Sequence, residues 1–156
     1  MDSQARIRPG DKGIDFTLKN QNGKDWSPAS VHGKRVLLSF HPLAWTPVCT
    51  GQMKALEENY LTFDSLNTVA VGISVDSHYC KRAWGEHIGV SLTPLLADFW
   101  PHGRVASMYG LFKQEAGFAE RANVLLDDHG MVVYVKVYEI HAAPDFEETI
   151  RFIRAM

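Results

Sequence analysis

Residues 36–60, VLLSFHPLAWTPVCTGQMKALEENY, constrain this chain more than any other stretch, because they make an apolar strand and an amphipathic helix meet across a stiff loop. Val36, Leu37, Leu38, Ser39 and Phe40 form a short apolar run suited to a sheet covered on both faces. Met53, Leu56, Tyr60 and Phe63 recur at intervals of three, four and three residues, the spacing of one helix face. Between the two elements Pro42 and Pro47 remove backbone donors and fix φ, so neither strand nor helix runs through the loop. Cys49 then falls in or beside the first helical turn. Unpaired N–H groups and the positive end of the helix dipole favour an anion there, which is the setting in which a thiol tends to become a thiolate.

The flanking chain reads as alternating elements. Residues 1–13 look like a loosely held lead-in. Asn20-Gln21-Asn22-Gly23 is a turn signal between DFTL and KDWS and predicts a small N-terminal hairpin, and Ser27-Pro28 can start one helical turn. After the Cys49 helix, residues 67–75 read as a second buried strand. A helix over 77–88 follows, capped by Asp76 or Ser77 and ended by Gly89. A short strand at 94–97 and a short helix at 105–109 lead to the clearest hairpin, residues 121–126 and 131–139 around Asp127-Asp128-His129-Gly130. Residues 144–156 close the chain as a helix with acidic residues first and Arg151 and Arg154 last. This order predicts an α/β sandwich with parallel strands in the middle, an antiparallel pair at one edge, and helices on both faces.

With 156 residues, 46% of them hydrophobic, the chain can bury a real core, and no composition shift marks a second unit. One domain over residues 1–156 is expected. A net charge of -2 gives no electrostatic reason for nucleic acid or a polybasic membrane contact. No apolar run approaches the roughly 18 residues of a membrane span, and the first residues show no signal-peptide core, so a cytoplasmic protein is expected. Two cysteines are too few for a disulfide scaffold, and the seven histidines have no ligand spacing, so neither a metal nor a cofactor is expected.

A cysteine at a helix start is only suggestive, but its neighbours sharpen it. Pro42, Thr46 and Cys49 fall in the pattern Pro-x-x-x-Thr-x-x-Cys, with Thr46 one helical turn before the sulfur. Arg121 opens a strand whose following residues look buried, so its guanidinium needs an anionic partner or solvent. Each also has a plainer reading: Thr46 as a helix cap, Arg121 as a surface ion-pair residue, Pro42 as a strand terminator. With PLAWTPVC, GISVDS, PLLADFWPHGRVASMYG and RANVLLDDHGMVVY in hand, the chain resembles the peroxiredoxins of the alkyl hydroperoxide reductase C and thiol-specific antioxidant group along nearly its whole length.

The resemblance implies a thioredoxin-like fold, a central mixed sheet flanked by helices with the N-terminal hairpin as an addition. It implies a thiol-dependent peroxidase for hydrogen peroxide and alkyl hydroperoxides. Cys49 would be oxidised to a sulfenic acid, Arg121 and Thr46 would orient the peroxide, Pro42 would wall the pocket, and Gln52 would support the arginine. A thioredoxin-like dithiol would recycle the enzyme, and a homodimer or higher homo-oligomer is expected. Cys80 is open between two roles. It is a resolving cysteine that forms a disulfide with Cys49, or a half-buried thiol with reduction left to an external donor, the atypical 2-Cys and 1-Cys types respectively. A second functional class, a peroxide-sensing or chaperone-like binding protein with incidental turnover, also fits the residues.

Overall fold

The computed structural model describes residues 5–156. The apolar run forms the middle of the sheet: β3 (Arg35–Phe40) lies between β4 (Thr68–Ser74), its parallel neighbour, and β8 (Arg121–Leu126), its antiparallel one. Register places Leu38 opposite Val71 on one side and Val124 on the other. Leu37, Leu38 and Phe40 are fully buried, as expected for a strand with helices on both faces. The full order is β2-β1-β5-β4-β3-β8-β9, in which β1 is Leu18–Lys19, β2 Asp25–Trp26, β5 Leu95–Ala97 and β9 Val132–Tyr138.

The helices fall where periodicity and caps put them, with one exception. α3 (His78–Ile88) starts on Ser77, whose side chain accepts from the Cys80 amide, and ends on Gly89 at φ 77. α4 (Arg104–Met108) and α5 (Phe146–Arg154) also form, α5 with Asp145 as its cap. The exception is the helix expected to run unbroken through Met53, Leu56, Tyr60 and Phe63, which is two helices, α1 (Pro47–Glu58) and α2 (Tyr60–Ser65). At the junction the Asn59 side chain donates to the Ala55 carbonyl at 2.8 Å, competing with the backbone ladder. The apolar face still reaches the core, since Met53, Leu56 and Phe63 are buried.

Three other expectations change. Both sheet edges are antiparallel, not one, because the N-terminal hairpin joins the sheet through Lys19 opposite Ala97. An unanticipated ribbon, β6 (Phe112–Lys113) with β7 (Phe118–Ala119), precedes β8. The lead-in is not loose where it is described; its first four residues lie outside the described range. The Ile7 amide donates to the Tyr109 carbonyl, those of Gly10 and Gly13 donate to Val132 and Gly130, and the Ile7 side chain is buried.

Because β3 and β4 are parallel, the loops leaving them emerge at the same edge of the sheet. One carries Pro42 to Cys49 and the other Asp76 to Lys81.

Candidate active site

The loop after β3 turns sharply before α1. Trp45 has φ 72, a left-handed conformation that a bulky residue adopts only under constraint, at about 1–3 kcal/mol. Two bonds hold the reversal: the Ala44 amide donates to Asp76 Oδ2 at 2.8 Å, and Thr46 Oγ1 donates to the Leu43 carbonyl at 2.7 Å. Thr46 occupies the cap position of α1 without making a side-chain cap bond. The first-turn amides of Val48 and Cys49 are thereby left to an incoming anion. With its hydrogen committed to Leu43, the Thr46 hydroxyl offers lone pairs, so it can accept from a peroxide O–H.

Cys49 is fully buried in the first turn of α1, and the Arg121 side chain reaches it from β8. Arg121 Nη1 donates to Cys49 Sγ at 3.3 Å and to Gln52 Oε1 at 2.8 Å. Its Nε and Nη2 donate to the Ile140 carbonyl at 3.0 and 2.7 Å. Gln52 in turn donates through Nε2 to Ser39 Oγ and the Phe40 carbonyl, which fixes its amide orientation. Ser39 completes the chain by donating to Asn123 Oδ1 at 2.8 Å.

Arg121 is therefore only 3% exposed and bonded to neutral oxygens, not to a carboxylate. Of the groups it touches, the one that can carry negative charge is the Cys49 sulfur. A buried guanidinium without a carboxylate offers charge-assisted donors to whatever bonds at that sulfur. The plainer readings of Arg121 as a surface residue and Thr46 as a side-chain cap do not hold. Pro42 is buried beside His41 at the mouth of the loop.

Cys80 lies at the start of α3, half-buried, with its sulfur 3.8 Å from Asp76 Oδ1. Burial and the Asp76 carboxylate both push its thiol upward, against a smaller opposing contribution from Trp45. It joins the partly buried side chains packed on the cluster that contains Cys49, and both cysteines are free thiols.

Of the residues singled out in the sequence, the fold brings Cys49, Arg121 and Gln52 into direct contact, and it puts Thr46 at the cap position of the same helix and Pro42, buried, in the loop before it. Sequence reasoning missed Asp76 as the anchor of the loop, Ser39 and Asn123 behind Gln52, and Ile140 as the acceptor that aims the arginine. Asp76 had a signal, since a carboxylate directly after a buried strand that runs parallel to β3 faces the loop that leaves β3. Ile140 had none, because its backbone carbonyl does the work.

A sequence model of the AhpC/TSA family matches residues 9–135. Alkyl hydroperoxide reductase E of Mycobacterium tuberculosis is 36% identical over 124 residues, covering 79% of this chain and 80% of that protein. Peroxiredoxin 2 of Thermoplasma acidophilum is 34% identical over 152 residues, covering 94% and 75%. Among solved structures, AhpC of Enterococcus faecalis superposes with a TM-score of 0.86 at 27% identity, covering 94% of this chain and 90% of that one. The reduced 2-Cys peroxiredoxin of Plasmodium vivax gives 0.84 at 26%, covering 94% and 80%. With a cysteine at a helix start, a buried arginine on its sulfur, and this family match over most of its length, the chain belongs to the AhpC/TSA family and is a peroxiredoxin, a thiol-dependent peroxidase.

Proposed function

We propose that Cys49 is the peroxide-reactive thiol and that Arg121, Thr46, Pro42 and the first-turn amides of α1 form the pocket that directs the peroxide at it. The observation that carries this reading is the 3.3 Å contact from Arg121 Nη1 to Cys49 Sγ inside the core. The thiolate attacks one peroxide oxygen, the O–O bond breaks, and hydroxide or alkoxide leaves as sulfur becomes a sulfenic acid. Thr46 accepts from the peroxide O–H, while Arg121 and the amides meet the charge that develops along the O–O bond. Complete burial of the sulfur suits hydrogen peroxide and slender alkyl hydroperoxides. Steady-state consumption of hydrogen peroxide with a thioredoxin system as donor is the direct test. Turnover that stops after one equivalent would instead favour the sensor or chaperone-like reading.

For the recycling step we propose that Cys80 attacks the Cys49 sulfenic acid, forming a disulfide and releasing water, and that a thioredoxin-like dithiol then reduces it. The shared sheet edge and the packing of Cys80 on the Cys49 cluster support this. Burial slows the attack, because the Cys80 thiol is held above its ordinary range. One equivalent of hydrogen peroxide is expected to lower the intact mass by two hydrogens. A sulfenic acid trapped by dimedone on the unmutated protein would assign resolution to an external thiol. We place the enzyme in the cytoplasm. We also expect self-association, since Tyr79, Phe99 and Trp100 present large exposed side chains.

A further inference from the structure

Lys81 is the one lysine buried among the described residues, with no exposed surface at all. Burying an ammonium is costly unless hydrogen bonds and counter-charges compensate. Its Nζ lies 2.6 Å from Ser74 Oγ and 2.9 Å from His41 Nε2, and 5.4 Å from the centroid of the Trp84 ring. Neither hydrogen-bond partner is a carboxylate. The nearest fixed anion is reached through a hydroxyl, because Ser74 Oγ donates onward to Asp76 Oδ2 at 2.7 Å. That same Asp76 oxygen holds the Ala44 amide of the catalytic loop.

The groups facing Lys81 come from four elements. His41 directly follows β3, Cys49 lies in the first turn of α1, Asp76 follows β4, and Cys80 shares α3 with Lys81; Arg121 on β8 acts on the ensemble through His41. Burial pushes Lys81 down to about 7, opposed by Asp76, Cys49 and Cys80 in that order. Two of the three groups that support its charge are thus the cysteines. His41 is held neutral, well below its usual range, by burial, then by Lys81, with Arg121 adding to the effect. Trp84 links this cluster to the helix that carries the sulfur. Its ring lies 5.5 Å from the His41 ring, and its Nε1 donates to Thr50 Oγ1, one residue beyond Cys49.

We propose that Lys81 is a positioning residue for the peroxidase reaction: its ammonium, held beneath the catalytic loop by His41 and Ser74, favours the anionic form of Cys49, and oxidation of Cys49 in return releases the Lys81 proton. This rests on the reading of Cys49 as the reacting thiol. Coupling between two charges is reciprocal, so whatever the cation does for the thiolate, the thiolate does for the cation. When hydrogen peroxide converts the thiolate to a sulfenic acid, one hydroxide leaves and the negative charge disappears. Lys81 then yields its proton, and the balance is thiolate, hydrogen peroxide and ammonium going to sulfenic acid, water and neutral amine. The support is present at pH below the Lys81 midpoint and is lost as pH rises through it.

The pH dependence of Cys49 oxidation by hydrogen peroxide, compared between the unmutated protein and Lys81→Met, reads this directly. At about pH 6 the variant is expected to react about tenfold more slowly, and the two rates are expected to converge by about pH 9. Superimposed profiles, or a loss of equal size at every pH, would overturn the proposal, the latter marking a purely structural role. Should Lys81→Met fail to fold, lysine Cε resonances followed by NMR carry the test on folded protein. One lysine is expected to titrate near pH 7, with its midpoint lowered by about one unit in Cys49→Ser. A midpoint unmoved by that substitution, or no lysine titrating between about pH 5 and 9, sinks the coupling. Peroxidase activity that survives Cys49→Ser would instead remove the reading beneath it.

Discussion

Cys49→Ser is expected to abolish peroxide reduction, lowering turnover by about four orders of magnitude or more, while leaving the fold intact. A serine hydroxyl is not ionised near neutral pH, and its oxygen cannot pass through a sulfenic acid, so both the attack and the recycling step disappear together. Serine nearly matches cysteine in volume, and the site is fully buried, so neither a cavity nor a clash arises. The natural companion is Cys80→Ser. It is expected to leave the first oxidation of Cys49 at its original rate and to change only the fate of the sulfenic acid. Stopped-flow measurement of peroxide consumption, with thermal unfolding as the control, separates the two. Residual peroxidase activity in a folded Cys49→Ser protein would end the assignment of the reacting thiol.

What the sequence made legible was local. The strand 36–40, the proline-bounded loop and the helix start at Cys49 are written in adjacent residues, and the caps Ser77, Gly89 and Asp145 signal their helices within one turn. Interactions carried by the backbone or by distant residues were not legible. The Asn59 break depends on one side-chain bond to a carbonyl four residues back, which periodicity of the apolar face does not register. The β6–β7 ribbon has two residues per strand, too few for an alternation to show. Lys81 carries no inward signal in the sequence, and only its bonds to Ser74 at the end of β4 and to His41 after β3 show it facing inward. Arg121 was legible through resemblance, but its aim was not, because half of its hydrogen bonds end on the main chain at Ile140.

That aim makes Arg121 the second substitution with a large expected effect. Its guanidinium bonds Ile140 through Nε and Nη2 and uses Nη1 for Gln52 and the sulfur, so the Ile140 carbonyl holds the plane while the remaining donor works. Arg121→Met keeps most of the volume but removes the cation and every donor. The rate of Cys49 oxidation is expected to fall by about two to three orders of magnitude, the usual cost of losing a preorganised donor at a developing charge. Arg121→Lys keeps the charge, yet a single ammonium cannot bond Ile140 and the sulfur in the same fork geometry, so most of the loss is expected to remain. Stability will also drop in both variants, because Ile140 and Gln52 lose buried partners. Activity must therefore be compared below the unfolding midpoint of each protein. A folded Arg121→Met protein that oxidises within about threefold of the original rate would show that the helix amides and Lys81 suffice to hold the thiolate, and the arginine would then be an architectural residue.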